Sequence, residues 1–192
     1  MDGIAREDSP PDTLRPQSPY ANSKLAAERD VLNASAHGEL CCVVFRFGTI
    51  FGPSPGMRFH TAVNKFIWQA AHRQPLTIWS NALGLVRPYL ALPDAIAAIE
   101  FALMRAEGLA GELFNVVTLN ATLDHILDAI RRHVPDLELR QTQSPLLNQV
   151  SYHVDDAKIR ALGFEYHGSL EAGISVTLET LAGLLPLPDD AI

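Results

Sequence analysis

Apolar and polar positions fall into blocks with two periods along this chain. Residues 20–32 contain no Gly or Pro and are rich in Ala, Leu, Lys, Glu and Arg, which predicts a helix. Ser18 is a good N-cap, and Pro19 suits a first turn that needs no N–H there. Polar residues and Gly38 then end the helix, and 40–47 is a nearly unbroken apolar run that predicts a strand buried on both faces, as in a parallel sheet. Further on, the pattern predicts a helix over 61–71 and a short strand at 76–79, and Arg87 reads as presented by a strand within 86–94. A helix is expected over 95–106, capped by Asp94, with Ile96, Ile99 and Leu103 as its packed stripe. A helix over 123–133 capped by Thr122, a short strand at 137–140 and a closing helix over 169–185 complete the series. Residues 1–17, proline-rich and charged, read as an extended surface segment rather than a packed element. Strands alternating with helices make the fold class α/β.

Composition narrows this picture. At 192 residues and 47% hydrophobic content the chain can bury a sizeable core, as one domain or a domain with a lobe. A net charge of -7 argues against an extended nucleic-acid or anionic-membrane surface, while leaving room for a local basic pocket in which single arginines matter. No apolar run is long enough to span a bilayer and the first residues are not a signal peptide, so a cytoplasmic protein is expected. Cys41 and Cys42 are adjacent and point to opposite faces of a strand, which predicts buried thiols rather than a disulfide. The seven His residues form no metal-ligand spacing, and no metal site is expected.

Candidate chemistry lies in the first helix. Tyr20 and Lys24 are four residues apart, so phenol and ammonium share one helical face. A tyrosine is a poor base at neutral pH, and bringing its pKa from about 10 to about 7 requires roughly 4 kcal/mol of phenolate stabilisation, part of which a fixed cation supplies. Alone, such a pair is more often an ordinary surface contact. Its setting, Ser-Pro-Tyr-Ala-Asn-Ser-Lys-Leu-Ala-Ala-Glu, resembles the catalytic helix of extended short-chain dehydrogenases/reductases, the NAD(P)-dependent nucleotide-sugar epimerases and dehydratases. The resemblance implies that Tyr20 is the acid/base and that Lys24 holds the nicotinamide ribose and lowers the tyrosine's pKa. Both would then serve catalysis and the binding of NAD or NADP. The implied architecture is the C-terminal part of a Rossmann-like doubly wound parallel sheet plus a small mixed α/β substrate-binding lobe.

Other stretches extend the likeness. Residues 46–53, Arg-Phe-Gly-Thr-Ile-Phe-Gly-Pro, are similar to the family's Arg-Tyr-Phe-Asn-Val-Tyr-Gly-Pro. That implies Phe47 and Gly48 beside the nicotinamide and Thr49, in place of the usual Asn, at the substrate. Asn64 falls where some members touch the sugar nucleotide. Residues 86–94 are similar to Arg-Asp-Tyr-Ile-His-Val-Asp-Asp, so Arg87 would grip the substrate diphosphate; without the resemblance, an Arg paired with a nearby carboxylate is the ordinary expectation. Ala91 and Pro93 depart from that pattern, and Val117 and Leu119 replace glycines after the strand that resembles Tyr-Asn-Val-Gly. Trp79 suits either base stacking or core filling. Asp155 and Lys158 match the family's Asp-x-x-Lys segment.

Two family features are missing: no Gly-x-x-Gly-x-x-Gly turn follows a strand, and no upstream catalytic Ser/Thr is present. Residues 1–53 therefore read as a remnant of the dinucleotide-binding domain, and 54–192 mainly as the substrate-binding lobe with segments returning to the sheet. The implied function is NAD(P)-dependent epimerase/dehydratase-type oxidoreduction of a nucleotide-activated sugar through a keto intermediate, inactive in this chain alone. The alternative is a non-catalytic sugar-nucleotide-binding or scaffolding module. Expected partners are the nucleotide-sugar and either a second copy or a complementing N-terminal half, with no nucleic acid and no membrane.

Overall fold

In a computed structural model, residues 3–9, 16, 18–142 and 151–183 are described. The chain order is β1 (Ile4–Ala5), α1 (Pro19–Ala36), β2 (Val43–Phe47), β3 (Thr49–Phe51), α2 (Ala62–Ala71), β4 (Leu76–Trp79), β5 (Arg87–Ala91) and α3 (Leu92–Leu103). There follow β6 (Glu112–Val116), β7 (Leu119–Ala121), α4 (Leu123–His133), β8 (Leu139–Thr142), β9 (His153–Val154), α5 (Ala157–Ala161) and α6 (Leu170–Ala182). Pairing is mostly parallel: β2 with β6, from Val43 opposite Glu112 to Phe47 opposite Val116, and likewise β3 with β5, β4 with β8 and β1 with β9. The exception is β7, which runs antiparallel on β5 with Asn120 opposite Pro88.

Local chemistry explains the helix starts. The Ser18 hydroxyl accepts from the Ala21 N–H at 3.1 Å and Pro19 occupies the first turn. Thr122 and Ser169 cap α4 and α6 in the same way. Two packed clusters result. One sets α3 against β2, β5 and β6 through Leu90, Ala98, Phe114, Val116, Ile159 and Phe164. The other gathers α2, α4 and α6 around β4 and Phe51, with Val63, Ile67, Ile78, Ile126, Ile130 and Ile174 almost wholly enclosed.

Several expectations are corrected. The helix expected over 95–106 begins at Leu92, and Asp94 is not its cap. The 1%-exposed Asp94 carboxylate accepts instead from the N–H groups of His167 and Gly168, both at 2.9 Å, and from the Thr118 hydroxyl at 2.6 Å. That hydroxyl in turn accepts from the Ala91 N–H at 2.8 Å, so one carboxylate latches α3 to the β6–β7 turn and to the loop before α6. The stripe expected to be packed is the outward one: Ile96, Ile99 and Leu103 are exposed, while Ala95, Ala98, Phe101 and Ala102 face the sheet. Small side chains let the helix approach the strands closely, which a 3.6-residue period alone does not indicate. The strand expected over 40–47 starts at Val43, is at most half-buried, and among the described residues pairs on one edge only.

Both cysteines are free, as expected, but Cys41 is exposed rather than buried. Residues 3–9 are more than a surface segment. There β1 pairs with β9, Glu7 accepts from the Asn115 N–H at 2.8 Å, and Arg6 lies 3.3 Å from the Asp155 carboxylate. Of the closing helix expected over 169–185, the last two positions lie outside the described residues, as does most of the segment 10–17. No described helix is long and apolar enough to cross a membrane.

Candidate active site

Arg87 and Tyr89 alternate along β5, so both side chains emerge on one face. That face forms one wall of a cavity of about 300 Å³ whose lining also includes His60, Lys65, Thr77 and Trp79. Lys65 projects from α2 and donates to the Thr77 carbonyl at 3.3 Å. Trp79 ends β4 and is 40% exposed, so its indole belongs to the cavity wall and not to the core. Burial raises the Tyr89 phenol above its ordinary pKa, with the Arg87 charge opposing, which keeps it a neutral hydrogen-bonding group at physiological pH. The cavity thus offers two cations, a histidine, an indole face and a phenol in a protein of net charge -7. Such a set suits an anion joined to a flat ring.

Other sequence-identified residues sit around this cavity or away from it. Thr49 is half-buried on β3, directly opposite Tyr89 in the parallel pairing. Asn64 is buried, its Oδ1 accepting from the Gly52 N–H at 3.2 Å and its Nδ2 donating to the Arg58 carbonyl at 3.4 Å. Its amide therefore shapes the loop after β3. Gly48 donates to the Val116 carbonyl, and a Cβ there would lie 3.1 to 3.2 Å from the backbone of Pro88 and Tyr89. Glycine is required because the backbone after β2 crosses close to that of β5. Phe47 stacks on Phe45 at 5.3 Å and stays partly exposed.

Tyr20 and Lys24 are exposed on α1, a helix that buries no residue, and Tyr20 is 73% accessible. They do not line the cavity. Glu28 shares their face, one turn further on, and both its oxygens are held by Arg46 of β2 at 2.6 and 2.8 Å. Arg46 also donates to the Arg6 carbonyl at 3.3 Å. This clamp sets the rotation of α1 and turns the Tyr–Lys face toward the end of β2, with Tyr20 about 12 Å further along the helix axis. Among the described residues nothing bonds the Tyr20 hydroxyl or the Lys24 ammonium. A phenol and an ammonium on one helical face can together hold a hydroxyl group, and no Gly-x-x-Gly-x-x-Gly turn of the kind that cradles a dinucleotide diphosphate occurs in this sequence.

The sequence reading brought forward Arg87, left Trp79 open between base stacking and core filling, and missed Tyr89, Lys65 and His60. Tyr89 was legible from its two-residue spacing to Arg87 on a strand. Lys65 and His60 join the site only through the packing of α2 and the loop before it.

Comparison with known proteins bears on the family and the fold. The family model described as NAD dependent epimerase/dehydratase family matches residues 2–116. A low-salt glycan biosynthesis protein, Agl12, of Haloferax volcanii is 29% identical over 189 residues, covering 95% of this chain and 57% of that protein. The UDP-glucuronic acid 4-epimerase of Bacillus cereus, solved with UDP-glucuronic acid and NAD, superposes with a TM-score of 0.84 at 22% identity, covering 96% of this chain and 58% of that one. A dTDP-glucose 4,6-dehydratase of Bacillus anthracis, solved with NAD, gives a TM-score of 0.80 at 21% identity over 94% and 56%. The chain thus spans a little over half the length of these relatives.

Proposed function

The chain belongs to the NAD-dependent epimerase/dehydratase family, and on that footing we propose that it carries the sugar-nucleotide pocket and the Tyr–Lys pair of an enzyme that oxidises a nucleotide-activated sugar to a keto intermediate. The observation that carries this reading is the convergence of Arg87, Lys65 and Trp79 on one cavity. Arg87 and Lys65 hold the diphosphate, and Trp79 offers its face to the base. Thr49 lies near the sugar, Asn64 holds the loop beside it, and Phe47 and Gly48 border the nicotinamide. Tyr20 removes the proton from a sugar hydroxyl, with the Lys24 ammonium one turn away on the same helical face. When bound, the nicotinamide cofactor, NAD or NADP, supplies the hydride chemistry.

Residues 1–53 then contribute to a cofactor domain and 54–192 mainly to the substrate lobe. The partner that completes the cofactor domain is a dinucleotide-binding half. The edge of β2 that pairs with no described strand and the helix α1, none of whose residues is buried, are the surfaces it would cover. A non-catalytic sugar-nucleotide-binding module is the second reading, favoured by one observation: Tyr20 and Lys24 stand outside the cavity. UDP binding without NAD-dependent turnover in the complemented protein selects it.

The binding claim is tested by calorimetry with UDP. Arg87→Gln, which removes the charge from the proposed diphosphate contact, is expected to weaken binding about tenfold. An unchanged Kd removes Arg87 from the site.

A further inference from the structure

Tyr152 lies beyond the cavity lining, yet its ring centroid is 5.3 Å from the Arg87 guanidinium carbon. The ring is not a loose surface aromatic. The Tyr152 N–H donates to the Val86 carbonyl at 3.4 Å, and the Ser151 hydroxyl accepts from the Val86 N–H at 3.0 Å. Two residues on, Asn120 of β7 holds Val154 from both sides, donating to its carbonyl at 3.0 Å and accepting from its N–H at 2.9 Å. The segment 151–154 is thereby strapped to the start of β5. The Val86 carbonyl that receives the Tyr152 N–H also receives the Arg87 Nη1, at 3.0 Å. One oxygen therefore fixes both the aromatic segment and the cation it faces.

We infer that Tyr152 is a positioning residue for Arg87: its ring restricts the guanidinium to the orientation it has in the cavity wall and so strengthens diphosphate binding. This rests on the reading of Arg87 as the diphosphate contact. A long cationic side chain loses rotamer freedom when it grips a ligand, and a ring that already confines it removes part of that cost from the binding step. The ring face also attracts the cation, while the ring is not among the residues that line the cavity. Tyr152 therefore acts on the ligand through Arg87.

The experiment compares UDP with uridine, which lacks the phosphates, using calorimetry for UDP and saturation NMR for uridine. Tyr152→Leu should weaken UDP about three- to tenfold and leave uridine unchanged. Tyr152→Phe, which keeps the ring, should bind UDP within about twofold of the parent. Equal weakening of UDP and uridine by Tyr152→Leu, equal losses from the Leu and Phe variants, or no change from either overturns the inference. If Arg87→Gln weakens UDP and Tyr152→Leu does not, the inference fails while the diphosphate reading stands. If Arg87→Gln is also without effect, both fall.

Discussion

Tyr20→Phe should lower turnover of the complemented enzyme by about 10² to 10⁴-fold while leaving sugar-nucleotide affinity unchanged. The substitution deletes one hydroxyl that bonds to no described residue and lies on an exposed face, so it carries no folding cost. It also lies outside the cavity assigned to the nucleotide, so binding has no reason to change. On the proposed reading, what is lost is the group that accepts the proton as hydride leaves the sugar. The check is single-turnover reduction of the nicotinamide, with the Kd for UDP measured in parallel. A loss below about fivefold removes Tyr20 from the acid/base role, since positioned proton transfer contributes far more than that. A weakened UDP affinity places the tyrosine in the pocket instead.

Gly168→Ala should be among the most destabilising single substitutions in the chain, at about 3 kcal/mol or more. A Cβ at this position would lie 2.4 Å from the Ala91 Cβ and 2.6 Å from Asp94 Oδ2. Neither neighbour can retreat. Ala91 is in β5, and the Asp94 carboxylate is pinned by three donors, one of them the Gly168 N–H itself. The added methyl must therefore move backbone or break the latch, and a broken latch leaves buried donors without an acceptor. The denaturation midpoint in urea measures the loss. Asp94→Asn should show a smaller loss, because the amide oxygen retains part of the acceptor capacity. A Gly168→Ala variant as stable as the parent contradicts the latch. The latch also fixes the end of the strand that carries Arg87 and Tyr89, so partly unfolded variants should lose UDP affinity along with stability.

What was legible in the sequence was what is decided locally. Ser18 and Pro19 announce the start of α1, and Thr122 that of α4, because a cap is a contact between near neighbours. Arg87 reads as presented by a strand, and a strand's two-residue period is enough to bring Tyr89 beside it. Asp94 was misread for the converse reason. Its position before an apolar helix suits a cap, but the donors it serves are the N–H groups of residues 73 and 74 positions further on. The outward stripe of α3 is a related case. Apolar spacing shows that a helix has a face, and only the small residues Ala95, Ala98 and Ala102 reveal which side approaches the sheet.

Valine-rich β2 was read as enclosed because both its faces are apolar, yet among the described residues it has one strand neighbour. Its composition suits a wider sheet than the described one. Val117 and Leu119, which replace family glycines, do not strain the turn between β6 and β7: among the described residues Arg73 is the one non-glycine with a positive φ. The turn is stabilised by the Thr118 hydroxyl and by the Tyr166 hydroxyl, which accepts from the Val117 N–H at 3.1 Å.

The measurement that bears most directly on the nucleotide pocket is an amide and indole NMR titration of the chain with UDP. The two tryptophans provide an internal control, since Trp79 lines the cavity and Trp68 packs against Phe59 and His72 elsewhere on α2. Expected is a saturable shift of the Trp79 indole N–H together with the backbone signals of Arg87 and Tyr89, with the Trp68 indole unmoved. A folded chain whose Trp79, Arg87 and Tyr89 signals stay in place at saturating UDP, or whose Trp68 moves equally, would contradict the assignment of this cavity to a sugar nucleotide.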